Sequence, residues 1–395
     1  MEAADALDRA PGEGSVAAGM RIDSTARGAS PAPCAAIPTG AGGPGPGGFA
    51  ATAPTCVTGI RGRLRAAGAG TCHEQAVLRA WTHALPLHEG SRPPGDFLPR
   101  AVRAALPAIA AELGALARLD SRHAGGDGSE RLLVELADGR TVESVLLPRD
   151  GLCVSTQVGC AVGCVFCMTG RDGLQRHLGS AEIVAQVVLA RSLRIVRKVV
   201  FMGMGEPAHN LDQVLEAIEL LGAEGAIGHK NLVFSTVGDR RVFERLPQGP
   251  VKPALALSLH STFAHRRAEL LPRAARIDPA ELVELGERYA RATGYPIQYQ
   301  WTLLEGINDG DDEVDRIVRL LAGKYAVMNL IPYNAVAGFA FRRPAADRAA
   351  AMARHLCERG VLAKLRQSAG QDVDGGCGQL RARVVALPRS RVSPG

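Results

Sequence analysis

Residues 151–170 read GLCVSTQVGCAVGCVFCMTG, and within them Cys160, Cys164 and Cys167 follow the spacing C-x3-C-x2-C. Three thiolates so close together in a glycine-containing loop can converge on one soft metal centre. If the centre is a cubane of four irons, three cysteines leave one iron without a protein ligand and open to substrate. A structural zinc site normally needs a fourth ligand and two separated pairs of ligands. His177, ten residues beyond the last cysteine, keeps a Cys3His zinc site as the alternative.

The whole sequence has the composition of a soluble enzyme. Its 395 residues are 46% hydrophobic, 22% charged and 4% aromatic, which excludes collagen, a coiled coil and wholesale disorder. The most apolar stretch, residues 183–204, is interrupted by several basic residues, so the sequence predicts no transmembrane helix. The first ten residues, MEAADALDRA, carry acids and lack an apolar run, so we expect no secretory signal and a cytoplasmic protein.

The cysteines are more informative than the net charge of +6, which is compatible with an RNA partner without demonstrating one. The chain has nine cysteines. An odd number in a long chain without a secretory signal argues against a disulfide scaffold and favours metal or redox use in a reducing compartment. Cys34, Cys56 and Cys72 fall in leader or accessory sequence, and we expect Cys357 to lie in the core side of a helix.

Composition and pattern divide the chain into five segments. Residues 1–58 are rich in Ala, Gly and Pro and too poor in large apolar residues to become ordered, which predicts a disordered leader. Residues 59–128 are predicted to form a small helical accessory region, with a helical pattern from 75 to 120. Residues 129–150 predict a β-hairpin around the turn ADGR. Residues 151–383 are the predicted core, and residues 384–395 a C-terminal tail.

In the core, strand-like and helix-like segments alternate. Asp278 followed by Pro279 predicts the start of one helix and Gly294 its end, while Asn210 and Gln213 resemble a capping box at the start of another. Repeated βα units predict an α/β fold, a partial (β/α)6-type barrel with its site at the carboxyl ends of parallel strands. The predicted strands are residues 198–203, 232–236, 254–260, 297–303, 326–332 and 361–367.

The cysteine spacing, with Phe166 just before the last cysteine, resembles the radical S-adenosylmethionine (SAM) superfamily. In that superfamily the open iron of a 4Fe-4S cluster chelates SAM. The segment GMGEP at residues 203–207 follows a predicted strand and is similar to the superfamily's SAM-binding turn. The resemblance implies that Glu206 accepts from the SAM amino group and that Gly205 permits a close backbone approach.

Further residues, in the same order along the chain, narrow the resemblance to the RlmN/Cfr family of RNA adenosine methyltransferases. By that resemblance, residues at strand ends and in the loops beyond them bind the ribose and adenine of SAM. They are Ser235, Ser258, Leu259, His260 and Asn334. Taken singly, each of them is more often a capping or turn residue than a ligand.

The most specific match is GQDVDGGCGQLRAR at residues 370–383, which is similar to the family's C-terminal signature. In the family the cysteine of this signature, here Cys377, carries the methyl group as S-methylcysteine. Cys153, seven residues before the first cluster cysteine, matches the family's second catalytic cysteine, which resolves the intermediate. Glu143 matches a glutamate proposed there as proton acceptor. Taken alone, either cysteine would be an inert buried residue at least as often as a catalytic one.

The resemblance implies a complete reaction. C2 of adenine is electron-poor and cannot attack the SAM methyl, so a radical route is needed. One SAM methylates Cys377, and a second is split at a 4Fe-4S cluster bound by three cysteines to a radical that activates the S-methyl group. The carbon adds to adenine, Glu143 takes a proton, and Cys153 releases the RNA through a transient disulfide. The implied product is 2-methyladenosine in large-subunit rRNA and also in tRNA, with a flavodoxin-type electron donor and a monomeric enzyme.

Alternatives stay open within this resemblance and outside it. C8 methylation or another RNA is the alternative within the class, and a non-catalytic metal-stabilised RNA-binding module is the alternative of another class. Three features depart from the family pattern: the loop CMTG, Val237 in place of a serine, and a diverged accessory region. Basic residues near the barrel mouth fit phosphate contacts and solvated surface pairs equally well. They are Arg171, Arg176, Arg240, Arg241, Arg342 and Arg343.

Overall fold

The computed structural model describes residues 55–88, 97–336 and 338–382. The predicted leader, except its last four residues, and the predicted tail at 384–395 lie outside these ranges, as does Cys34. The predicted leader boundary is wrong by a few residues, because helix α1 (Val57–Ala66) begins inside it. Cys56, which we placed in the leader, is the N-cap of this helix, and its sulfur accepts from the Gly59 N–H at 3.4 Å.

The strands form one ten-stranded sheet and one two-stranded ribbon. Within the described ranges they are β1 (Ala117–Ala124), β2 (Glu130–Leu136), β3 (Thr141–Leu147), β4 (Gly151–Cys153), β5 (Gln157–Gly159), β6 (Leu174–His177), β7 (Lys198–Phe201), β8 (Leu232–Thr236), β9 (Ala254–Ser258), β10 (Ile297–Leu303), β11 (Ala326–Pro332) and β12 (Ala363–Leu365). The large sheet has the order β1-β2-β3-β4-β7-β8-β9-β10-β11-β12, antiparallel up to β4 and parallel from there on. Strands β5 and β6 pair with each other.

Helices connect the parallel strands and cover the sheet. After α1 the described α-helices are α2 (Thr71–Thr82), α3 (Arg100–Ala115), α4 (Ser180–Leu193), α5 (Leu211–Ala223), α6 (Arg240–Arg245), α7 (Ala264–Leu270), α8 (Pro279–Thr293), α9 (Asp311–Leu321) and α10 (Ala346–Glu358). Because each of the parallel strands β4 and β7 to β11 is followed by at least one helix before the next parallel strand, the predicted partial (β/α)6-type barrel is confirmed, and β12 adds a short seventh parallel strand.

Strand register shows which side chains share the inner face of the sheet, since paired residues point to the same side. Cys153 pairs with Val200, and Val200 pairs with Val233. Further along the sheet Ser235 pairs with Ala256, and Ser258 pairs with Gln300. The alternate residues of β7 to β9, such as Phe201 and Leu255, belong to the main hydrophobic core instead. Cys153, Ser235 and Ser258 therefore lie on the same face of the sheet, opposite to that of Phe201 and Leu255.

The six predicted core strands and the β-hairpin at 129–150 are confirmed, but the accessory region is not all helical. Residues 117–124 form β1, which pairs with β2 from Ala117 opposite Leu136 to Ala124 opposite Glu130. The helical pattern ends at Ala115, because hydrogen bonding to the neighbouring hairpin overrides the local preference. Cys357 also differs from expectation: it is exposed on α10, and its neighbour Leu356 occupies the core position.

Two predicted helix starts had different outcomes. Asp278 caps α8 through a 2.8 Å hydrogen bond from the Ala280 N–H, and Gly294 ends it with a φ of 74°, as predicted. The capping box at Asn210 and Gln213 is wrong. Asn210 donates instead to the carbonyls of Thr156 and Leu178, at 2.9 and 2.8 Å, and so ties α5 to the β5–β6 ribbon.

In the described part of the chain no helix is long and apolar enough to span a membrane. The apolar run in α4 has another explanation, because nearly all of its first two turns are buried. Helix α4 contacts α2, α3, α5 and β1, so it lies between the accessory helices and the barrel. A helix covered on opposite sides needs apolar residues all around its circumference.

Candidate active site

The loop with the three cysteines is held at both ends by the β5–β6 ribbon. Cys160 follows β5, and its N–H donates to the carbonyl of Gly173, just before β6, at 3.1 Å. Inside the loop the Cys167 N–H donates to the Cys164 carbonyl at 3.0 Å. The Val165 N–H donates to the carbonyl of Leu270 at the end of α7, also at 3.1 Å. Sequence reasoning missed this ribbon, because its strands are only three and four residues long.

An apolar layer surrounds the cysteines. Cys160 and Phe166 are buried in a small cluster with Val237, Leu271 and Tyr333, separate from the main core. Cys164 and Cys167 pack against the same cluster and are partly buried. Apolar surroundings limit the access of water, which is one means by which a protein tunes the reduction potential of an iron–sulfur centre.

The three thiols act on one another electrostatically. Burial raises the pKa of Cys160 to about 12, and the charges of Glu206 and Cys167 add to the effect. Burial and the charges of Cys167 and Cys160 likewise raise the pKa of Cys164. Each thiol therefore lies within the electrostatic range of the next. A positively charged iron centre would reverse this effect by stabilising the thiolates.

Among the described residues no three Cys, His, Asp or Glu side chains lie close enough to hold a single metal ion. Three cysteines match the donor set of a 4Fe-4S cluster with one open iron, whereas a structural zinc ion takes four ligands. His177 is engaged elsewhere: its Nδ1 lies 3.0 Å from Nε2 of Gln157. The arrangement thus disfavours the Cys3His zinc alternative.

The GMGEP turn after β7 brings Glu206 to the same end of the barrel. Gly205 has a φ of 104°, and a Cβ there would lie 2.6 Å from the Cβ of Gln157, so the turn requires glycine. Glu206 is buried and accepts from the N–H groups of Ala208 and Val237, each at 3.0 Å. Burial raises the pKa of this carboxyl. We expected Glu206 to accept from the SAM amino group; in the structure both its oxygens bind backbone N–H groups.

The end of β9 places the predicted SAM-binding residues Ser258, Leu259 and His260 beside the cysteine loop. His260 is buried, and its ring makes an edge contact with Phe166, with 5.0 Å between the ring centroids. Its Nδ1 accepts from the Thr302 N–H at 3.0 Å. Burial, with the charge of Arg267, lowers the pKa of His260 to about 3. The imidazole is therefore neutral near pH 7.

Arg267 on α7 is a site residue that sequence reasoning missed. It is 4% exposed and donates to the carbonyls of Val237 and Ser258, which follow or end strands β8 and β9. Its Nε has no hydrogen-bond partner among the described residues. Burial lowers its pKa to about 10, although the negative charges of Cys164 and Glu206 act to raise it. A buried donor in this position fits an anionic group, such as a cluster with thiolate ligands or the SAM carboxylate. In the sequence, residues 265–270 read HRRAEL, and nothing in this pattern distinguishes Arg267 from the two basic residues before it.

Cys153 and Cys377 lie within electrostatic range of each other, although 224 positions separate them in the sequence. Burial raises the pKa of Cys153, and the charge of Cys377 adds to the effect. Cys377 is accessible to solvent, but protein surrounds it at the barrel mouth. Partial loss of hydration and the charge of Cys167 both raise the pKa of its thiol. Both are free thiols. The Cys377 side chain thus lies within electrostatic range of both Cys153 and the cluster loop.

Asn334, the remaining predicted SAM-binding residue, contacts the segment with Cys377 instead. Its Nδ2 donates to the carbonyl of Cys377 and to Oγ of Ser368, both at 3.0 Å. The segment is also fixed to the cluster loop, because the Met168 N–H donates to the Gly378 carbonyl at 2.8 Å. Asn334 therefore connects the end of β11 to the Cys377 segment.

Glu143 on β3 lies behind the Cys377 segment. It is 1% exposed and forms an ion pair with Arg131, which is equally buried. Its other oxygen accepts from the backbone N–H of Arg381 at 2.7 Å. The predicted proton acceptor is thus on the inner face of the sheet, with each carboxylate oxygen engaged.

Five of the six arginines considered for phosphate binding bind protein atoms. Four of them pair with carboxylates: Arg176 with Glu182, Arg240 with Glu281, Arg241 with Asp239 and Arg342 with Glu305. Arg343 donates to the Tyr333 carbonyl at 2.9 Å. Arg171 is exposed, and its guanidinium carbon lies 5.9 Å from the ring centroid of Phe339.

Comparison with known proteins agrees with this geometry. Residues 154–321 match the family model described as the radical SAM superfamily. A protein of Aromatoleum aromaticum named "Probable RNA methyltransferase" is 78% identical over 327 residues, which cover 83% of this chain and 92% of that protein. A protein of Leptothrix cholodnii with the same name is 73% identical over 333 residues, which cover 84% of this chain and 96% of that protein. The crystal structure of a radical SAM methyltransferase from Sphaerobacter thermophilus superposes with a TM-score of 0.72 at 32% identity, covering 84% of this chain and 98% of that one.

The fold and the superfamily match define a radical SAM enzyme, whose class uses a 4Fe-4S cluster and SAM. The chain belongs to the RlmN-like family of radical SAM RNA methyltransferases. It is accordingly a SAM-dependent enzyme, and RNA is the substrate class that its relatives' names give.

Proposed function

We propose that this enzyme methylates C2 of an adenosine in large-subunit rRNA, and in tRNA as well, through S-methylcysteine at Cys377. The observation that carries the proposal is the position of Cys377, within the electrostatic range of both Cys153 and the cluster loop. A methyl carrier has to meet SAM beside the cluster and a resolving thiol in the same place. The electrostatic coupling of Cys377 with Cys153 and Cys167, which are far from it in sequence, supports this requirement.

The donor set supports a cluster bound by Cys160, Cys164 and Cys167. When bound, the cluster supplies the electron for reductive cleavage of SAM. SAM lies, in this proposal, between the GMGEP turn and the ends of β8, β9 and β11, near Gly205, Glu206, Ser235 and Ser258, with Leu259, His260 and Asn334. We add Arg267 to this set as a hydrogen-bond donor to the carboxylate of SAM. Two SAM molecules are used per turnover, one for the methyl group and one for radical formation.

The chain's own residues divide the remaining work. The Cys377 sulfur attacks the methyl of SAM, so a C–S bond forms as the S–CH3 bond of SAM breaks and S-adenosylhomocysteine leaves. The 5′-deoxyadenosyl radical from the second SAM removes a hydrogen atom from the S-methyl group, and the resulting carbon radical adds to adenine. The adduct then loses one electron, which the oxidised cluster would accept, and one proton, which Glu143 accepts. Cys153 then attacks the sulfur of Cys377, which forms a disulfide and frees the methylated RNA. An external reductant of the flavodoxin type restores the thiols and supplies electrons. We further propose that the enzyme acts as a monomer in the cytoplasm, where these thiols stay reduced.

One anaerobic experiment tests this proposal. The protein is reconstituted with iron and sulfide, reduced, and incubated with SAM and an adenosine-containing fragment of large-subunit rRNA. We expect 5′-deoxyadenosine and 2-methyladenosine among the products by mass spectrometry. The product 8-methyladenosine would instead establish the C8 alternative. A zinc content near one atom per chain without SAM cleavage would establish the non-catalytic RNA-binding module.

A further inference from the structure

The segment that carries Cys377 is fixed at its C-terminal end by a buried ion pair. We call residues 367–382 the Cys377 loop. Near its end the Arg381 N–H donates to Oε2 of Glu143 at 2.7 Å. Oε1 of Glu143 is held by the guanidinium of Arg131, and both side chains are 1% exposed. The carboxylate therefore connects a rigid strand to a backbone position four residues beyond the reactive thiol.

Strand register places this ion pair in line with the resolving thiol. Arg131 on β2 pairs with Val145 on β3, and Val145 pairs with Cys153 on β4. Glu143 is two residues from Val145, so it shares the same face of the sheet. Arg131, Glu143 and Cys153 thus form one layer of side chains beneath the Cys377 loop.

The ion pair is more deeply buried than the other charged contacts of the loop, which include the Gly370 N–H donating to the exposed Asp127 at 3.0 Å. The side chain of Arg381 also pairs with Asp172 at 2.9 Å, but these two side chains are 26% and 52% exposed, and such surface pairs contribute little. The hydrogen bonds at Cys377 and Gly378 join neutral groups, from Asn334 and Met168. Hydrogen bonds to a buried carboxylate are shorter and roughly twice as strong as neutral ones.

We propose that Arg131 and Glu143 are positioning residues for the first methyl transfer, because they hold the Arg381 N–H and so aim Cys377 at SAM. This inference rests on the proposed function, since it concerns the loading of methyl onto Cys377. This positioning role is separate from proton acceptance by Glu143, which occurs in a later step, after the carbon has joined the RNA base. In the loading step the thiol proton goes to solvent and S-adenosylhomocysteine leaves as the C–S bond forms.

The test measures methyl loading without RNA. The anaerobic holoenzyme is mixed with SAM, and methylated Cys377 is followed by peptide mass spectrometry. We expect Glu143→Ala to load about tenfold more slowly or worse, because the Arg381 N–H loses its acceptor. The double variant Arg131→Gln with Glu143→Gln restores an uncharged pair in which one amide oxygen accepts from Arg381. We expect it to load within about threefold of wild type while failing to complete RNA methylation, since it lacks the base.

Asp172→Asn is the matched control, because it weakens the exposed ion pair of Arg381 and leaves the buried one intact; its loading rate should stay within about twofold. Wild-type loading by Glu143→Ala, or loading by the double variant as slow as that of Glu143→Ala, would overturn the positioning role. A wild-type enzyme that never methylates Cys377 would overturn the proposed function. Hydrogen exchange of the wild-type Arg381 amide tests the anchor separately. Exchange as slow as that of β3 supports it, and exchange as fast as that of an exposed loop overturns it.

Discussion

At the scale of single residues, burial sets the chemical character of the site. The thiols of Cys153 and Cys160 and the carboxyl of Glu206 all have raised pKa values, and burial is the largest cause in each case. Burial disfavours the charged form of an acid, and a nearby positive charge favours it. A bound cation would therefore stabilise the ionised forms of these groups. SAM is a sulfonium and the cluster contains iron cations. The site is therefore electrostatically matched to the two cofactors that its family uses.

Cys153→Ala should trap the enzyme on its RNA. Without the resolving thiol, the bond between the Cys377 sulfur and the methylated base has no nucleophile to break it. We expect a covalent protein–RNA species on a denaturing gel after single turnover. Cys72→Ala, which removes an exposed thiol on α2, is the matched control and should turn over without an adduct. Normal turnover by Cys153→Ala would show that Cys153 does not resolve the intermediate.

Cys377→Ala should separate methyl transfer from cluster binding. Cys377 lies outside the loop of residues 160–167, so its removal leaves the three proposed ligands in place. We expect iron content and the absorbance of the brown cluster to match wild type, while RNA methylation falls below detection. A colourless, iron-free variant would instead point to a structural role for Cys377.

His260 should make the folded state sensitive to acid. Its pKa is about 3 in the folded chain, against 6.5 for an unperturbed histidine. Above about pH 6.5 both states are neutral at this site, so His260 adds no pH dependence. As pH falls below 6.5 the unfolded state takes up a proton and the folded state does not, so stability is lost until the pH nears 3. The loss between about pH 7.5 and pH 5.5 is about 1.4 kcal/mol.

Urea denaturation of wild type and His260→Gln at both pH values measures this loss. The glutamine oxygen can still accept from Thr302 but does not titrate, and all other histidines are common to both proteins. Wild type should therefore lose about 1.4 kcal/mol more than the variant on acidification. Equal losses in the two proteins would mean that His260 is protonated in the folded state.

At the scale of elements, the sequence predicted those strands and helices that have a clear pattern within their own residues. Strands β7 to β12 and the hairpin β2–β3 have apolar runs bounded by turns, so the sequence was sufficient to find them. Strand β1 and the β5–β6 ribbon depend on pairing with a neighbouring strand rather than on an apolar run of their own, so local pattern does not predict them. Asn210 shows the same limit: a residue typical of a helix cap is used to bind two carbonyls of the ribbon.

The same division holds for the site. Motif order was enough to propose roles for the three loop cysteines, Cys153, Glu206 and His260. Arg131 and Arg267 were missed because a buried arginine is recognised only by its partners, Glu143 in one case and the strand-end carbonyls in the other. Glu143 was found by resemblance, but its contact with Arg381 depends on 238 residues of intervening chain. Roles that arise from such contacts cannot be read from spacing.

Helix α8 offers a test at the element scale. Asp278→Ala removes the oxygen that accepts from the Ala280 N–H, and loss of such a cap costs about 1 kcal/mol of unfolding free energy. Asp278→Asn keeps an acceptor and should change stability by only a few tenths of a kcal/mol. Denaturation curves of the two variants against wild type measure both effects. A cost for asparagine equal to that for alanine would show that the charge, rather than the cap, stabilises this helix.

At the scale of the whole molecule, the accessory helices and the barrel share one core. Ile60 and Leu64 of α1 belong to the same buried cluster as Phe201 and Leu257 of the barrel strands. Polar contacts reinforce the junction: Arg191 on α4 donates to the carbonyls of Thr82 at 2.6 Å and Gly225 at 2.7 Å. A continuous core predicts that both parts unfold together rather than as separate modules.

The two tryptophans of the chain allow this to be measured, because one lies in each part. Trp81 on α2 is 4% exposed, and Trp301 on β10 is fully buried, with its Nε1 donating to the Asn308 carbonyl at 3.1 Å. Trp301→Phe leaves the accessory reporter, and Trp81→Phe leaves the barrel reporter. In each variant we expect the fluorescence transition in urea to coincide with the circular dichroism transition of the same protein, since a shared core has one midpoint. A Trp81 signal that changes at clearly lower urea than the circular dichroism of that variant would show an accessory region that unfolds independently. Coincident transitions would mean that the accessory helices and the barrel unfold as one cooperative unit.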